Sequence, residues 1–586
     1  MRGTPRSRTA AGRGVPFSPS PVLAVKLPAW RSRVVLFLMF VAFAALAVRA
    51  FWLQAISTEF LQKQGATRSV RTLELPATRG KITDRNGEVL ASSLPVKAVW
   101  AIPEDVEAPA EKLRELARLL DMSQPDLKKK LASDRSFVYL KRQVENDVTE
   151  RIVSLGIPGI HTRKEYKRFY PVGPVAAHIL GFTNVEDIGQ EGIELAQQSS
   201  LAGVTGSRRV IKDRLGRVIE DIGFIREPRD GRDLTLSIDS NIQYIAYTQL
   251  RNAVEVHKAK AGAIVVLDVR TGEVMALVNM PTYNPNSRQG LTGAQLRNRV
   301  MTDTFEPGST MKPFTVALAL ENNLVTPATL IDTAPGKMTI GSATIGDAHP
   351  HGVLSVAQII QKSSNVGTVK MALQLEPRQM WDLFTAVGFG QQPHYGFPGA
   401  VAGRMRPYKS WRPIEHATMS YGHGISVSLI QIARSYMIFA RDGDTIPLSF
   451  QKLDQLPQAQ RIISEKTARA VRDMMETVVN PAGTAPQAQV RGYRVAGKTG
   501  TAHKLVGGRY ANKYVASFVG FAPASDPRII VAVMIDEPSN GQYYAGAVAA
   551  PVFASVAASA LRSLNVAPDS TVTNVIMPAQ PVLESL

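Results

Sequence analysis

An apolar run close to the N-terminus constrains this chain more than any other feature of its sequence. The run Val34–Val48 contains no charged residue, and the apolar character continues past Arg49 to Ile56. A helix needs ~20 apolar residues to cross a bilayer. Counting on to Ile56 provides them, with Arg49 reaching towards the interface. We therefore expect a transmembrane anchor at residues 34–56; a cleaved signal peptide is the alternative, because Ala45–Ala47 resembles a cleavage site.

Charge is distributed unevenly around this run. Residues 1–33 carry seven basic residues and no acidic one, without hydrophobic periodicity. Basic flanks stay in the cytoplasm, so we expect a disordered basic cytoplasmic tail there and export of everything after residue 57. The formal net charge is +19, yet no basic segment is interleaved with aromatic residues, so no nucleic-acid partner is expected. The basic residues of the tail are Arg2, Arg6, Arg8, Arg13, Lys26, Arg31 and Arg33.

The pattern of helix and strand signals in the sequence changes at about residue 230. Residues 57–230 contain short strands and loops punctuated by Gly and Pro, with one amphipathic helix near Leu116. Residues 231–565 contain a helix that starts at Asp239 or Ser240 and two pairs of apolar strands joined by turns. Strands at both ends with helices between them predict a mixed α/β fold, in which helices pack on one antiparallel sheet. Residues 566–586 are expected to form a loose C-terminal tail.

Ser309 and Lys312 are the first candidates for chemistry. They lie in FEPGSTMKPF, after a Pro-Gly turn and at the start of an apolar helical stretch, so one helical turn places the amine and the hydroxyl on one face. A serine hydroxyl needs a neighbouring base, and a lysine serves when its surroundings make it neutral. The spacing alone is weak support, since Ser449 and Lys452 share it. That second pair lacks a helix-start signal, and we interpret it as coincidence.

Two further motifs follow Ser309 in chain order. Taken alone, each motif also has a purely structural explanation. Asn365 can be a helix cap, and Lys498–Gly500 can be the end of a strand followed by a turn. Another S-x-N at Ser563–Asn565 comes after the K-T-G and is therefore out of order. The ordered set S-x-x-K, S-x-N and K-T-G consists of Ser309, Lys312, Ser363, Asn365, Lys498, Thr499, Gly500 and Thr501.

This ordered set resembles the signature of penicillin-binding proteins and serine β-lactamases. Between S-x-N and K-T-G there is no E-x-x-L-N stretch, which the first class of β-lactamases uses to activate water. The resemblance therefore implies an acyl-enzyme that waits for an amine acceptor and that penicillin traps. Upstream, the chain resembles the class B penicillin-binding proteins, in which such segments build a non-catalytic pedestal. The matching segments are Arg79–Gly87, Arg168–Pro171, Ala177–Gly181, Gly189–Glu194 and Lys212–Ile219.

The resemblance implies a catalytic role for four of these residues. Ser309 is expected to attack the carbonyl of the penultimate D-alanine of a D-Ala-D-Ala stem peptide, and Lys312 to take its proton. Ser363 is expected to relay a proton to the leaving amine. Asn365 is expected to hold Lys312 and the substrate backbone.

The K-T-G segment is expected to bind the substrate. Lys498 adds positive potential, and Thr499 and Thr501 bind the terminal carboxylate of the peptide. The strand through Gly500 lends its edge to the peptide by β-strand addition. The backbone N–H groups of Ser309 and Thr501 would form the oxyanion hole.

The sequence is most similar to the division-specific members of the class, with the elongation-type members as the alternative. The phrases ELPATRGKITDRNGEVLASS, RNRVMTDTFEPGSTMKPF and SYGHGISVSLIQIARSY carry this similarity. The sequence departs from the family pattern at Tyr543–Gly546, where two glycines are expected. This difference concerns the local shape of a loop near the active site. A catalytically inert divisome scaffold is the hypothesis from another class. It is disfavoured because Ser309, Lys312 and Lys498 are all present.

Partners and location follow from the same resemblance. The expected ligands are peptidoglycan stem peptides and β-lactam antibiotics. The expected partners are a SEDS-family glycosyltransferase that polymerises lipid II and other divisome membrane proteins. The expected location is the bacterial inner membrane at the division septum, with the catalytic domain in the periplasm. No metal or other cofactor is expected, since His349 and His351 lack a third ligand cluster, and His423 is interpreted as a pocket-lining residue.

Overall fold

The computed structural model describes residues 28–56, 70–212 and 218–570. The predicted basic tail therefore lies almost entirely outside the described residues, and so does most of the predicted C-terminal tail. The chain forms two compact units, which we describe separately. One comprises Met1–Leu75 with Gly206–Glu227, and the other comprises Pro76–Thr205 with Pro228–Leu586. The predicted domain limits at residues 57, 230 and 565 remain predictions.

The first unit contains the apolar helix and a small sheet. The helix Ala29–Phe51 continues into a π-helical turn, Trp52–Ile56. Over Ala29–Ala55 it is long and apolar enough to cross a membrane, with a mean hydropathy of 2.5 in its most apolar window. Its side chains are exposed on every face, which water does not favour and a bilayer does. The sheet is antiparallel, in the order Val70–Leu75, Gly206–Lys212 and Val218–Arg226.

Residues 76–205 fold around one long strand, Val89–Ala101. It pairs antiparallel with the strands on both sides, and Ile82–Thr83 pairs in parallel with Leu234–Thr235. Helices cover one end of this sheet, and a separate apolar core forms there around Val99, Leu116 and Leu140. The predicted amphipathic helix is present as Ala110–Leu119. The other strands and helices are Val138–Val144, Ile160–Phe169, Gln124–Leu131, Asn146–Ser154, Ala177–Leu180, Gly192–Ala196 and Gln198–Leu201, with 3-10 turns Pro103–Asp105 and Gly173–Ala176.

A buried group of three charges ties together segments that are far apart in the chain. Glu194 is fully buried and accepts from Arg79 Nε at 2.5 Å and from Arg168 Nε at 2.6 Å. Arg79 also donates to the carbonyl oxygen of Glu194 at 2.8 Å. Removing one member of such a buried group leaves the others unpaired and is costly. Three of the segments quoted from the sequence thus meet at one point of the upstream fold.

The part of the second unit that comprises residues 228–570 contains a five-stranded sheet. In spatial order its strands are Val274–Met280, Ala261–Asp268, Ile529–Asp536, Arg509–Ala522 and Ala496–Val506, and every neighbouring pair is antiparallel. Both predicted strand pairs are present, and Ala261–Asp268 is buried along its whole length. The strand Ala496–Val506, which carries the K-T-G motif, lies at the edge of the sheet.

Helices cover both faces of this sheet. Ser240–Val256 packs with the C-terminal helix Ala550–Ser563 on one face, and Leu429–Ser435 packs on the other. Asp239 caps Ser240–Val256 by accepting from the backbone N–H groups of Asn241 and Ile242, as predicted. The predicted α/β architecture with an antiparallel sheet is confirmed.

The remaining elements of residues 228–570 come mostly between Val274–Met280 and Ala496–Val506 in chain order. The other helices are Gly293–Leu296, Arg299–Thr302, Lys312–Glu321, Val356–Lys362, Asn365–Ala372, Pro377–Ala386, Pro413–Met419, Met437–Ala440, Glu465–Glu476 and Ala545–Val548. Short strand pairs are Thr304–Phe305 with Val427–Ser428, Leu330–Asp332 with Val353–Ser355, Lys337–Ile340 with Ala343–Gly346, and Asp444–Thr445 with Gln460–Arg461. The 3-10 turns are Gly308–Met311, Tyr408–Ser410, Thr477–Val479 and Pro486–Ala488.

Replacing Glu194 with alanine tests the importance of the buried charge group. We expect Glu194→Ala to lower the free energy of unfolding by about 3–5 kcal/mol, because two buried guanidinium groups lose their counter-charge. The matched control is Glu186→Ala, which removes an exposed carboxylate paired with Arg142 at 2.9 Å and should cost less than about 1 kcal/mol. Chemical denaturation of the detergent-solubilised chain measures both. Equal losses in the two variants would contradict the expectation.

Candidate active site

Ser309 lies in a tight turn that ends where a helix begins. The 3-10 turn Gly308–Met311 leads directly into Lys312–Glu321, with Pro313 in its first turn, where a proline is tolerated. The α-helix therefore starts three residues after the predicted position, since Ser309 belongs to the 3-10 turn. Tyr436 holds the turn by donating its hydroxyl to the carbonyl oxygen of Thr310 at 2.8 Å. Ser309 is 5% exposed, so it is nearly buried.

The edge strand Ala496–Val506 packs directly against this turn, and Gly500 makes the approach possible. A Cβ atom at Gly500 would lie 2.6 Å from the carbonyl oxygen of Pro307 and 2.9 Å from Thr310 Cγ2. Real Cβ atoms do not approach backbone so closely. The glycine of K-T-G is therefore required by the contact between strand and turn.

Three motif residues meet in one buried hydrogen-bonded group. Ser363 Oγ accepts from Lys498 Nζ at 2.9 Å and from Lys312 Nζ at 3.1 Å. Lys312 Nζ also donates to the carbonyl oxygen of Ser363. All three residues are fully buried. Burial and a neighbouring like charge both disfavour a protonated amine, which is the condition under which a lysine acts as a base.

Ser363 reaches both lysines because its backbone is left-handed. It follows the helix Val356–Lys362 with φ 61° and ψ 40°, and its N–H donates to the carbonyl oxygen of Ile359. This region is uncommon for residues other than glycine and, where it occurs, it is held by the surroundings. The two hydrogen bonds from Lys312 and Lys498 supply that constraint.

Asp347 is a site residue that the sequence analysis missed. Its carboxylate accepts from Ser364 Oγ at 2.7 Å, from the N–H of Asn365 at 2.5 Å and from the N–H of Val366 at 2.9 Å. It therefore fixes the start of the helix Asn365–Ala372. No motif marks Asp347. A lone aspartate after a short strand, ahead of an N-capped helix, is the one signal that the sequence offers.

Asn365 is not the N-cap of its helix, which was one of the roles predicted for it. The N-cap of its helix is Ser364, whose hydroxyl accepts from the N–H of Gly367 at 3.0 Å, so the cap prediction for Asn365 is wrong by one residue. The Asn365 amide donates to the carbonyl oxygen of Gly346 at 2.9 Å. Its buried Oδ1 has no hydrogen-bond partner within the described part of the chain. An acceptor without a partner can take a hydrogen bond from a ligand or from a lysine side chain that changes its position. The predicted contact between Asn365 and Lys312 stays a prediction.

The two threonines of the K-T-G strand already have protein partners. Thr499 Oγ1 lies 2.8 Å from Thr484 Oγ1 and accepts from Lys498 Nζ at 3.2 Å. Thr501 Oγ1 accepts from the N–H of Ala545 at 3.1 Å. Both threonines are buried. Their predicted contact with a substrate carboxylate remains a prediction.

The second S-x-x-K pair lies elsewhere and has a structural role. Ser449 Oγ donates to the carbonyl oxygen of Gln451 at 2.7 Å, and Lys452 Nζ donates to that of Arg85 at 3.0 Å. The first bond closes a local turn, and the second joins this loop to the upstream fold. The pair is not part of the buried group around Ser363.

Histidine and tyrosine rings surround the site. Burial and the positive charge of Lys312 lower the pKa of His423 to about 4, so its ring is neutral at neutral pH. Its ring packs beside Tyr421 and Tyr510, and its predicted pocket-lining role stays a prediction. At Tyr543–Gly546, where glycines were expected, Tyr543 stacks on Tyr514 with ring centroids 4.1 Å apart. Tyr543, which lies in the segment where glycines were expected, is therefore part of an aromatic surface.

Comparison with known families identifies both halves of the chain. Residues 262–558 match the model of the penicillin-binding protein transpeptidase domain, and residues 74–236 match the penicillin-binding protein dimerisation domain. The chain belongs to the class B penicillin-binding proteins.

Individual proteins agree with this assignment. The chain is 45% identical over 545 residues to a probable peptidoglycan D,D-transpeptidase, PenA, of Neisseria gonorrhoeae, covering 92% of this chain and 94% of that protein. It is 41% identical over 552 residues to the peptidoglycan D,D-transpeptidase FtsI of Escherichia coli, covering 93% of each. The transpeptidase domain of Burkholderia pseudomallei penicillin-binding protein 3 is 53% identical, with a TM-score of 0.53 over 57% of this chain and 98% of that one. A peptidoglycan synthetase from Bifidobacterium adolescentis is 26% identical, with a TM-score of 0.68 over 87% of this chain and 99% of that one.

Adding a methyl group at Gly500 tests the contact between the edge strand and the Ser309 turn. We expect Gly500→Ala to reduce the second-order rate constant for acylation by a fluorescent penicillin by at least ~100-fold, since misplacement of about 1 Å has that effect. The matched control is Gly293→Ala, because a Cβ there meets nothing within 4 Å. Labelling of Gly500→Ala at the wild-type rate would show that the contact is not needed.

Replacing Asp347 tests whether the helix cap positions the S-x-N motif. We expect Asp347→Ala to lower the free energy of unfolding by about 1–2 kcal/mol, as for loss of a helix cap, and to slow acylation about tenfold. Asp347→Asn, which keeps one acceptor oxygen, should lie between this variant and the wild type. Asp382→Ala removes an exposed helix carboxylate 3.5 Å from Arg378 and serves as control. An Asp347→Ala protein that acylates normally would refute the positioning role.

Proposed function

We propose that this chain is a septal peptidoglycan D,D-transpeptidase that cross-links stem peptides through an acyl-serine intermediate and is acylated by β-lactams. One observation carries the catalytic part of the proposal: Lys312 and Lys498 converge on Ser363 Oγ in a buried group next to the Ser309 turn. Family membership supports the substrate class. The homologues named FtsI and PenA support the peptidoglycan transpeptidase activity and the role in division.

Acylation begins at Ser309. Its Oγ attacks the carbonyl carbon of the penultimate D-alanine, and the hydroxyl proton passes to a neutral Lys312. The resulting oxyanion is stabilised by the backbone N–H groups of Ser309 and Thr501. The tetrahedral intermediate then expels the terminal D-alanine, whose amine takes a proton from the Ser363 hydroxyl. The proton held by Lys312 moves to Ser363, which restores both groups and leaves an ester on Ser309.

Transfer repeats these steps in reverse with a new nucleophile. The amine of a second stem peptide attacks the ester carbonyl, and its proton leaves through Ser363 and Lys312. Collapse of this intermediate forms the cross-linking amide and returns the proton to Ser309 Oγ. Lys498 keeps positive potential beside the substrate carboxylate throughout, while Asn365 orients the peptide backbone. A β-lactam ring opens onto Ser309 by the same first step.

The anchor and the basic residues before it support a location for the enzyme. We propose a single-pass protein of the inner membrane, with its N-terminus in the cytoplasm and its catalytic domain in the periplasm at the division septum. The helix Ala29–Phe51 is apolar on all sides, and the positive-inside rule sets its direction. A SEDS-family glycosyltransferase and other divisome membrane proteins are the proposed partners.

Labelling with a fluorescent penicillin tests this function. We expect the detergent-solubilised wild type and Ser449→Ala to form a stable, gel-visible acyl-enzyme and Ser309→Ala to form none. The reason is that the Ser309 turn leads into the helix of Lys312 and packs against the strand of Lys498, while Ser449 lies in a structural turn. Folding of each variant is checked by its unfolding transition. Stable labelling of a folded Ser309→Ala, or absence of labelling in the folded wild type, would refute the assignment.

A further inference from the structure

A cavity of about 780 Å³ lies beside the stacked rings of Tyr514 and Tyr543. None of the described residues that line it belongs to the three sequence motifs. The mechanism above assigns no role to this cavity. Its charged lining residues, within the described part of the chain, are Lys258, Lys260, Lys513 and Glu537.

Positive charge is in excess in this cavity. Glu537 accepts from Lys513 at 2.8 Å and from Lys260 at 3.1 Å, and Lys504 donates to it from outside the cavity at 2.7 Å. Burial alone would raise the pKa of Glu537, but hydrogen bonds from these lysines lower it to about 2, so the carboxylate is charged at neutral pH. Three lining lysines face this one carboxylate, which leaves a net charge of +2.

The backbone that carries these lysines is fixed, whereas their amines are accessible to solvent. The carbonyl oxygen of Lys258 accepts from Ser539 Oγ at 2.8 Å, and the N–H of Lys260 donates to the carbonyl oxygen of Asp536 at 2.9 Å. The side chain of Lys260 is 65% exposed and that of Lys513 is 53% exposed. An anionic group of a ligand can therefore pair with these amines without breaking a buried contact.

A row of contacts connects this cavity to the strand that carries the K-T-G motif. Tyr543 stacks on Tyr514 with ring centroids 4.1 Å apart and on Tyr544 with centroids 4.5 Å apart. The next residue, Ala545, donates its N–H to Thr501 Oγ1 at 3.1 Å. With neighbouring rings ~4.5 to 7 Å apart, the cavity lies on the order of 10 Å from Thr501.

The second half of the proposed reaction requires a place for the acceptor. The leaving D-alanine vacates the position beside Thr499 and Thr501, and the acceptor amine has to enter there to attack the ester. The donor chain still occupies the edge of the strand at that moment. The rest of the acceptor therefore has to extend away from the strand, and the segment Tyr543–Ala545 borders this way out because Ala545 contacts Thr501.

We propose that the acceptor peptide extends over Tyr543 and Tyr544, and that the lysines of this cavity bind a carboxylate at its end. A carboxylate about three extended residues from the amine would reach them, at ~3.4 Å per residue. The inference rests on the proposed transpeptidase function and adds the chemical class of the acceptor, an amine that also carries a free carboxylate. Water and neutral amines gain nothing from the lysines, so the cavity favours transfer to a stem peptide over hydrolysis.

Two acceptors that differ only in their terminal group test the proposal on the full detergent-solubilised chain. A thioester donor that ends in D-alanyl-thiolactate acylates Ser309, and the acceptor is meso-diaminopimelyl-D-alanine, acetylated at its L-centre amine, or the C-terminal amide of the same peptide. Mass spectrometry gives the ratio of cross-linked to hydrolysed product. In the wild type, we expect this ratio to be about tenfold larger with the free acid, since exposed ion pairs are individually weak and three lysines act together. Salt at roughly 0.5 M should reduce the difference by screening these charges.

Two variants and a matched control assign the preference to this cavity, each with the amide acceptor as internal reference. We expect Lys258→Gln and Lys513→Gln each to lower the preference for the free acid about threefold, because each removes one exposed cation. Lys466→Gln makes the same chemical change at an exposed position of the helix Glu465–Glu476, outside the cavity. It should keep the wild-type preference.

The possible results distinguish failure of this acceptor site from failure of the proposed function. If penicillin acylates Ser309 but the wild type uses the acid and the amide equally, or uses neither, the acceptor site is refuted and the acyl-serine chemistry stands. A preference for the acid that Lys258→Gln and Lys513→Gln both keep in full refutes this cavity as its origin. If neither penicillin nor the thioester acylates Ser309, the proposed function fails and the acceptor site fails with it.

Discussion

The catalytic half of this protein depends on a single buried contact in which two lysines share one serine hydroxyl. Lys312 comes from a helix start, Ser363 from a left-handed residue between two helices, and Lys498 from a sheet edge. Hydrogen bonds from both amines to Ser363 Oγ hold this buried contact together. Burial and a like charge nearby both disfavour the protonated form of an amine, which agrees with the proposed role of Lys312 as the base.

The elements that surround this contact hold its residues in position. A five-stranded antiparallel sheet presents its edge strand to the Ser309 turn, and only a glycine at Gly500 permits the distance. Tyr436 holds the turn from behind, and Asp347 holds the helix that follows Ser363. Each support reaches the site from a different part of the chain, and together they fix the geometry of the three motifs.

Much of this organisation could be predicted from the sequence, because it follows from local patterns. Strand pairs separated by short turns and the capped helix after Asp239 are visible in periodicity and composition, and the motif order indicated which segments meet. The support from Asp347 could not be predicted, since its partners lie 17 to 19 residues away and are brought to it by a strand pair. The exact cap, Ser364 and not Asn365, was missed for a related reason: both residue types cap helices, and the choice is made by tertiary contacts. The contact between Arg79, Glu194 and Arg168 could likewise not be predicted, although the three segments that contain them had each been noted in the sequence.

The edge strand divides the site into two regions with different physical demands. At its start, Lys498–Thr501 is buried, and every polar group named there has a protein partner, so this region has one geometry and suits a chemical step that is the same for every substrate. Beyond Ala502 the strand becomes progressively exposed to solvent. The proposed bond making therefore lies at the closed end of the strand, and the open end leaves room for the rest of a substrate, with one continuous backbone edge aligning the two.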